Sequence, residues 1–204
     1  MMGISLFLIV YTFPYFMAQA WMAVGNDIYY RLPLEPVPAT EIDVFIESRE
    51  KAIEWTGLDK AKADLTILPL VSDAHRFQSY GAAETLKELL ADNPYNGFLW
   101  VRLSDLQERI AAPVSDILAS WRISYQFMPF EPRVVYSRLY RGLRFREFLT
   151  DSDKLLLRGE LEAAFRMNKL QLRREIQNNG LQPIVDEYVT SDEMRQYLFT
   201  SALK

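Results

Sequence analysis

The sequence predicts an all-α protein in which one uncharged N-terminal helix precedes stacked antiparallel helical hairpins. Three observations lead to this fold class. No alternation of apolar and polar residues persists beyond about six residues, so no β-strand is indicated. Apolar residues instead recur at helical spacing from Thr40 onward. From Met1 to Gly25 there is no charged side chain at all.

The composition excludes several classes of function. The net charge of −4 argues against a dedicated nucleic-acid binder, because such proteins present a basic surface. The chain has no cysteine and a single histidine, His75, which leaves no thiolate or multi-histidine metal site. His75 has no carboxylate cluster around it and is expected to be structural. We therefore expect no metal and no cofactor.

Residues 1–25 are predicted to form a membrane anchor. A helix of roughly 20 apolar residues crosses a hydrocarbon core about 30 Å thick, and a spanning helix tolerates the kink that Pro14 introduces. A cleaved signal peptide is the main alternative, since Ala18-Gln19-Ala20 has the form of a processing site, and a buried core helix is the other. No Lys or Arg precedes the apolar run. We expect a single-pass protein of the inner (plasma) membrane with its C-terminal domain on the periplasmic side.

A proline-rich spacer is predicted to follow the anchor. Pro33, Pro36 and Pro38 favour extended backbone, so residues 27–39 are read as a stiff linker between the anchor (1–26) and a helical domain (40–204). In that domain Thr40-x-x-Asp43 is typical of a helix start, and Gly57 of a helix end. Residues 59–80 are predicted to be helical with a break near Pro69.

Residues 81–103 carry the signal for a hairpin. A helix is expected to end at Asn93-Pro94, because the residue before proline is pushed out of the helical region. The bulky and small positions on either side keep a fixed spacing: Ala82, Leu86, Leu89, Pro94, Trp100 and Leu103. This spacing resembles the tetratricopeptide repeat across one turn. Ser104 and Gln107 stand where that family has Gly and Tyr, and a generic helical hairpin is the alternative.

Two further helices complete the hairpins. Residues 113–127 are predicted to pack through Ile117, Leu118, Trp121 and Tyr125, after a tight joint at Ala111-Ala112-Pro113. Residues 133–148 form a basic helix, in which a helical wheel places four arginines together: Arg133, Arg138, Arg141 and Arg144. This face is read either as a site for anionic phospholipid, acidic glycan or an acidic partner, or as a surface paired with acids of neighbouring helices.

The C-terminal third is also predicted to be helical. Thr150-x-x-Asp153 and Thr190-x-x-Glu193 are read as capping boxes, and Asn179-Gly180 as a helix end after residues 167–178. Residues 183–188 are expected to make one or two turns.

No motif for catalysis is present. The chain lacks a Gly-rich phosphate loop, a G-x-S-x-G elbow, an H-E-x-x-H motif and an EF-hand loop. Glu160 and Glu162 flank Leu161 and so diverge on a helix. We predict a protein that is not an enzyme, although carboxylates brought together from distant positions remain an alternative.

The layout of anchor, spacer and small helical domain, with the segment LLADNPYNGFLW at residues 89–100, resembles the membrane-anchored VpsP-like proteins of bacterial exopolysaccharide systems. That resemblance implies a scaffold or adaptor in the synthesis or export of envelope polysaccharide, with other membrane or envelope proteins as partners. The predicted partner-binding surfaces are the groove beside Tyr95, Phe98 and Trp100 and the arginine face. These aromatic residues are alternatively core. A second reading is a small accessory subunit that joins a membrane complex through its helix.

Overall fold

The computed structural model describes the backbone of residues 2–129 and 131–199, and side chains from residue 10 onward within those ranges. This part of the chain is helical and contains no strand, which confirms the all-α prediction. The chain divides into two compact units, Met1–Asn93 and Pro94–Lys204. The boundary falls at Asn93-Pro94, so the two helices of the hairpin predicted at residues 81–103 belong to different units.

In the residues that the structure describes, the first unit contains six α-helices and a 3-10 segment at Asp73–Gln78. The α-helices are α1 (Met2–Val24), α2 (Asn26–Arg31), α3 (Ala39–Thr56), α4 (Asp59–Leu65), α5 (Leu68–Val71) and α6 (Ser79–Asp92). Gly57 ends α3 with φ 65°, as predicted, and Pro69 lies in the first turn of α5.

Two local predictions in this unit are wrong. The spacer is not extended throughout, because α2 lies inside it and Arg31 pairs with Asp27, Glu35 and Glu41. Helix α3 begins at Ala39 after Pro38 without a side-chain cap, so Thr40 is inside the helix. Local ion pairing and the fixed φ of proline therefore determine this stretch.

The C-terminal half of α1 packs antiparallel along α3. Phe13 meets Trp55 edge-to-face at 5.7 Å, and farther along Ala18 and Met22 are buried with Ala52. At the other end a Cβ on Gly25 would lie 2.4 Å from the Ser48 Oγ atom, so only glycine allows this approach.

Within the described residues, no helix is long and apolar enough to cross a membrane. Part of the predicted span, namely Met1 and the side chains of residues 2–9, lies outside the described residues.

The described part of the second unit contains six further α-helices and three short 3-10 segments. The 3-10 segments are Pro132–Val134, Arg146–Phe148 and Asp186–Tyr188. The α-helices are α7 (Gly97–Arg109), α8 (Val114–Phe127), α9 (Val135–Arg144), α10 (Asp151–Asn178), α11 (Gln182–Val185) and α12 (Asp192–Phe199).

Helices α7 and α8 form an antiparallel hairpin. Their joint is the predicted Ala111-Ala112-Pro113, where Ala111 adopts φ 53°. Helix α8 buries the predicted apolar positions, including Trp121, whose Nε1 donates to the backbone oxygen of Arg138 at 2.9 Å. A hydrogen bond from an indole to an α9 carbonyl anchors α9 on this hairpin.

Helix α10 confirms one predicted cap and has a break close to a predicted boundary. Thr150 and Asp153 form the capping box. Non-helical backbone at Asn168 (φ −157°, ψ 84°) divides α10 beside residue 167, where the next helix was predicted to begin. The predicted cap at Thr190 is wrong, because Ser191 Oγ accepts from the Met194 N–H while the Thr190 hydroxyl donates to Glu162.

Candidate partner-binding surface

An aromatic patch lies at the end of the α7–α8 hairpin; we define it by Tyr95, Phe98, Phe127 and Arg133, of which Tyr95 and Arg133 are exposed and the two phenylalanines half-buried. Tyr95 is 73% exposed and rests edge-to-face on Phe127, with 5.2 Å between ring centroids. The Arg133 guanidinium lies 4.3 Å from the centroid of the Phe98 ring. The structure thus brings two of the predicted aromatic residues and one predicted arginine together.

The backbone beneath the aromatic patch is held firmly. Asn96 caps α7 through its Oδ1 atom, which accepts from the Leu99 N–H. A Cβ on Gly97 would lie 2.5 Å from the Cβ of Met128, so the start of α7 and the end of α8 are in close contact. Trp100, the third predicted aromatic, is half-buried and donates from Nε1 to the Pro94 oxygen at 2.7 Å. Trp100 therefore supports the turn beneath the aromatic patch.

Arg138 belongs to the core of the second unit. Its side chain is fully buried, and its Nε atom donates to Glu160 Oε1 at 2.9 Å. Its Nη1 atom donates to the backbone oxygen of Met128 at 2.8 Å, which holds the end of α8 next to the aromatic patch. Burial raises the pKa of Glu160 to about 7, while Arg138 opposes that shift.

Arg141 and Arg144 are paired with acids on α7. Arg141 binds Asp105 and Glu108, and Arg144 Nη1 lies 2.7 Å from a Glu108 carboxylate oxygen. Ser137 also donates to Asp105, at 3.0 Å, and burial raises the pKa of that carboxyl. These contacts match the reading in which the basic helix is paired with acids of neighbouring helices.

The predicted basic face is consequently smaller than a helical wheel suggests. Arg138 and Arg141 are buried, whereas the side chains of Arg133 and Arg144 are exposed. A wheel groups residues of one helix and contains no information on acids from α7 and α10. Asp105 and Glu108 were not singled out from the sequence, although their i, i+3 spacing places both carboxylates on one face of α7.

A groove of about 740 Å³ lies beside the interruption of α10 at Asn168 and is bordered by α12. Glu162 and Glu193 line it, but Glu162 is engaged by Arg166 and Thr190. No group of three potential metal ligands occurs in the described ranges.

No known protein family, curated protein sequence or solved structure matches this chain. The surfaces described above are therefore the basis for inferring function.

Proposed function

We propose that this chain is a non-enzymatic adaptor, attached to a membrane through the N-terminal part of α1, that holds a partner protein on the aromatic patch. The main support for this proposal is that Tyr95, a large aromatic side chain, is mostly exposed and yet held against Phe127. Interfaces are enriched in Tyr, Phe and Arg, and rigid aromatic anchors supply much of their binding energy.

The arrangement of the aromatic patch favours protein binding for an entropic reason. Tyr95 and Phe98 project from a capped helix start that packs against Met128, so little backbone freedom is lost on binding. Arg133 adds a cation that already stacks on Phe98 and bonds Glu131. A partner with an apolar anchor flanked by acidic groups fits this chemistry.

Site-specific cross-linking tests the proposal. A photoreactive amino acid is placed at Tyr95 in the full chain in its native cells, and a matched probe replaces Phe148, an exposed aromatic elsewhere in the second unit. We expect one discrete cross-linked protein from position 95 and none from position 148. Equal cross-linking from both positions would mean that the aromatic patch is not a specific site.

A double variant and its control give a second test, which uses the partner that cross-linking identifies. Tyr95→Ala combined with Arg133→Ala should weaken binding at least tenfold in a titration, because both truncations remove interface contacts. Phe148→Ala is the control and should leave affinity and thermal unfolding unchanged. Unchanged binding by the double variant contradicts the proposal.

The finer assignments are also proposals. A tetratricopeptide-like stack is supported by the antiparallel α7–α8 hairpin and by the spacing around Pro94. A role in envelope polysaccharide rests on the resemblance of residues 89–100 to VpsP-like proteins, and an inner-membrane location follows from it. Deleting the gene and measuring cell-bound polysaccharide tests this role, which is wrong if the amount and chain length are unchanged.

An accessory subunit assembled through its membrane segment is the second candidate, favoured by the uncharged run from Met1 to Gly25. Residues 2–12 are exchanged for an unrelated apolar sequence of equal length, while the half of α1 that packs on α3 is kept. Loss of complex assembly with membrane attachment intact supports the subunit; retained assembly supports binding through the aromatic patch.

Anionic lipid or acidic glycan is an alternative ligand for the exposed arginines. Arg133→Glu with Arg144→Glu tests it, because both side chains are exposed. Reduced flotation with anionic vesicles, or reduced glycan binding, supports this ligand. Unchanged binding to both vesicles and glycan would rule out this class of ligand.

A further inference from the structure

Helix α1 extends beyond the helix on which it packs. The contact of Phe13 with Trp55 lies one residue before α3 ends at Thr56. Because the two helices are antiparallel, residues 2–12 of α1 project past the end of α3. We call residues 2–12 the overhang.

On the face of α1 that packs on α3, side chains become exposed toward the overhang, and Tyr15 is already 62% exposed. Tyr11, Ala18 and Met22 recur at helical spacing on one face of α1. Ala18 is 1% and Met22 2% exposed, whereas Tyr11 is 62% exposed, and Val10 beside it is 63% exposed. The face that packs on α3 is therefore open to solvent in the described part of the overhang.

The sequence of the overhang is apolar on every side. Residues 4–10 read ISLFLIV, with Ser5 as the one polar side chain. A partner helix covers only one stripe of its neighbour, so a second copy would leave the remaining sides in water. A lipid bilayer surrounds a helix completely and satisfies such a sequence at all positions.

We propose that the overhang inserts into a lipid bilayer and that residues 13–25 stay outside it, packed on α3. This rests on the membrane attachment in the proposed function and locates the entry point near Phe13. As a helix, the overhang rises roughly 16 Å, which is about the depth of one leaflet. Tyr11 and Tyr15 flank the boundary, where amphipathic rings prefer to lie.

A buried arginine keeps the second half of α1 outside the bilayer. Arg49 is fully buried; its Nη1 donates to the backbone oxygen of Met22 at 2.8 Å and its Nη2 to Asn26 Oδ1 at 2.9 Å. Its Nε donates to Asp64 at 3.1 Å. Inserting residues 13–25 would take the Met22 carbonyl away from the Arg49 guanidinium and leave a buried N–H of that cation without its acceptor, which costs free energy.

The charged residues nearest the boundary agree with this placement. Lys51 pairs with Glu54 in the last turns of α3, and Lys62 pairs with Asp59 at the start of α4. These exposed pairs belong in water or among headgroups. The overhang itself carries no charged side chain, so a neutral bilayer is the expected partner.

The absence of native cysteine allows a direct test. Three full-length variants each carry one cysteine on α1, at an exposed position: Val10→Cys, Gln19→Cys and Ala23→Cys. Each is labelled with a polarity-sensitive fluorophore and mixed with phosphatidylcholine vesicles. Quenching by nitroxide lipid reports contact with the acyl chains, and quenching by iodide reports water.

We expect the label at position 10 to shift to the blue, brighten several-fold and be quenched by nitroxide lipid. Labels at positions 19 and 23 should remain quenched by iodide. If all three labels enter the acyl chains, the whole of α1 inserts, so the inference is wrong while membrane attachment stands.

Two other results also overturn the inference, and each identifies its cause. Failure of every variant to float with vesicles removes the membrane attachment in the proposed function itself. Efficient disulfide cross-linking of Val10→Cys between copies, without lipid transfer of the label, would show that a second copy covers the overhang.

Discussion

The Nε atom of Arg138 donates to the Oε1 atom of Glu160 at 2.9 Å, and both side chains are buried in the second unit. The guanidinium also lies 4.3 Å from the centroid of the Tyr125 ring. One buried ion pair thus joins α8, α9 and α10. Such a pair costs desolvation, so it is tolerated only while both charges keep their partners.

Replacing one partner of this ion pair should destabilise the protein more than replacing both partners. Arg138→Met leaves Glu160 without its cation, and we expect a loss of about 3–5 kcal/mol in the free energy of unfolding. Combining it with Glu160→Leu should recover a large part of that loss, because no buried charge remains. Urea unfolding of the single and double variants measures the coupling. Additive losses would show that the pair is not coupled.

The stability of the fold at acid pH should depend on the ionised carboxylate of Asp153. Arg122 donates to both carboxylate oxygens of Asp153, at 2.8 and 2.7 Å, and Thr150 donates to one of them. The hydrogen bond from Arg122 is the largest cause that lowers the pKa of Asp153 to about 2. Because the folded pKa lies below the unfolded value, this stabilisation is present above about pH 4 and is lost as pH falls toward 2.

The expected size of that loss is about 2 kcal/mol. Urea midpoints measured between pH 6 and pH 2.5 for the wild type and Asp153→Asn should converge as pH falls. Asp151→Asn is the control, since its side chain is fully exposed and it should follow the wild type. A constant difference between wild type and Asp153→Asn across the range would contradict the assigned pKa.

Arg49 should not be replaceable by lysine. Its guanidinium binds three separate groups, Met22, Asn26 and Asp64, and one ammonium group cannot reach all of them. We expect Arg49→Lys to lose about 2–4 kcal/mol in urea unfolding, because buried acceptors are left unpaired. Arg76→Lys changes an exposed arginine of the same unit and should leave the urea midpoint close to that of the wild type. Equal effects of the two changes would show that the three hydrogen bonds of Arg49 do not stabilise the fold.

Gly142 should be intolerant of even one added methyl group. A Cβ there would lie 2.6 Å from Leu157 Cδ1 and 3.1 Å from Trp121 Cζ2, and both neighbours are fully buried. Overpacking costs about 1–3 kcal/mol, which outweighs the helix propensity of about 1 kcal/mol that alanine adds. Gly142→Ala should therefore lower the melting temperature.

Gly159→Ala is the matched control for Gly142→Ala. Gly159 also lies inside a helix, but nothing is within 4 Å of its added Cβ. Alanine there should raise stability by about 0.5–1 kcal/mol. The close approach of α9 to α10 is disproved if both alanines raise the melting temperature.

Helix ends were predictable where the chemistry is local. Gly57 ends α3, the Thr150–Asp153 capping box starts α10, and the tight joint before α8 is as expected. The caps expected at Thr40 and Thr190 failed for a common reason: an alternative start was available beside each. Pro38 precedes α3, and Ser191 caps α12 instead.

The candidate site was predictable in part. Tyr95, Phe98 and Arg133 were singled out from sequence and lie together, whereas Phe127 was not, because it comes from the far end of α8. The arginine face could not be judged from one helix. Whether an arginine faces water depends on acids such as Asp105 and Glu160, which belong to other helices.

The sequence by itself determined the helical class and most helix ends, because periodicity, proline and capping residues act over a few residues. Only the tertiary structure decided which polar residues are core. Arg49 and Arg138 are indistinguishable from surface arginines in sequence, yet both are fully buried beside carboxylates. Desolvation and pairing are properties of several helices brought together, so no single segment encodes them.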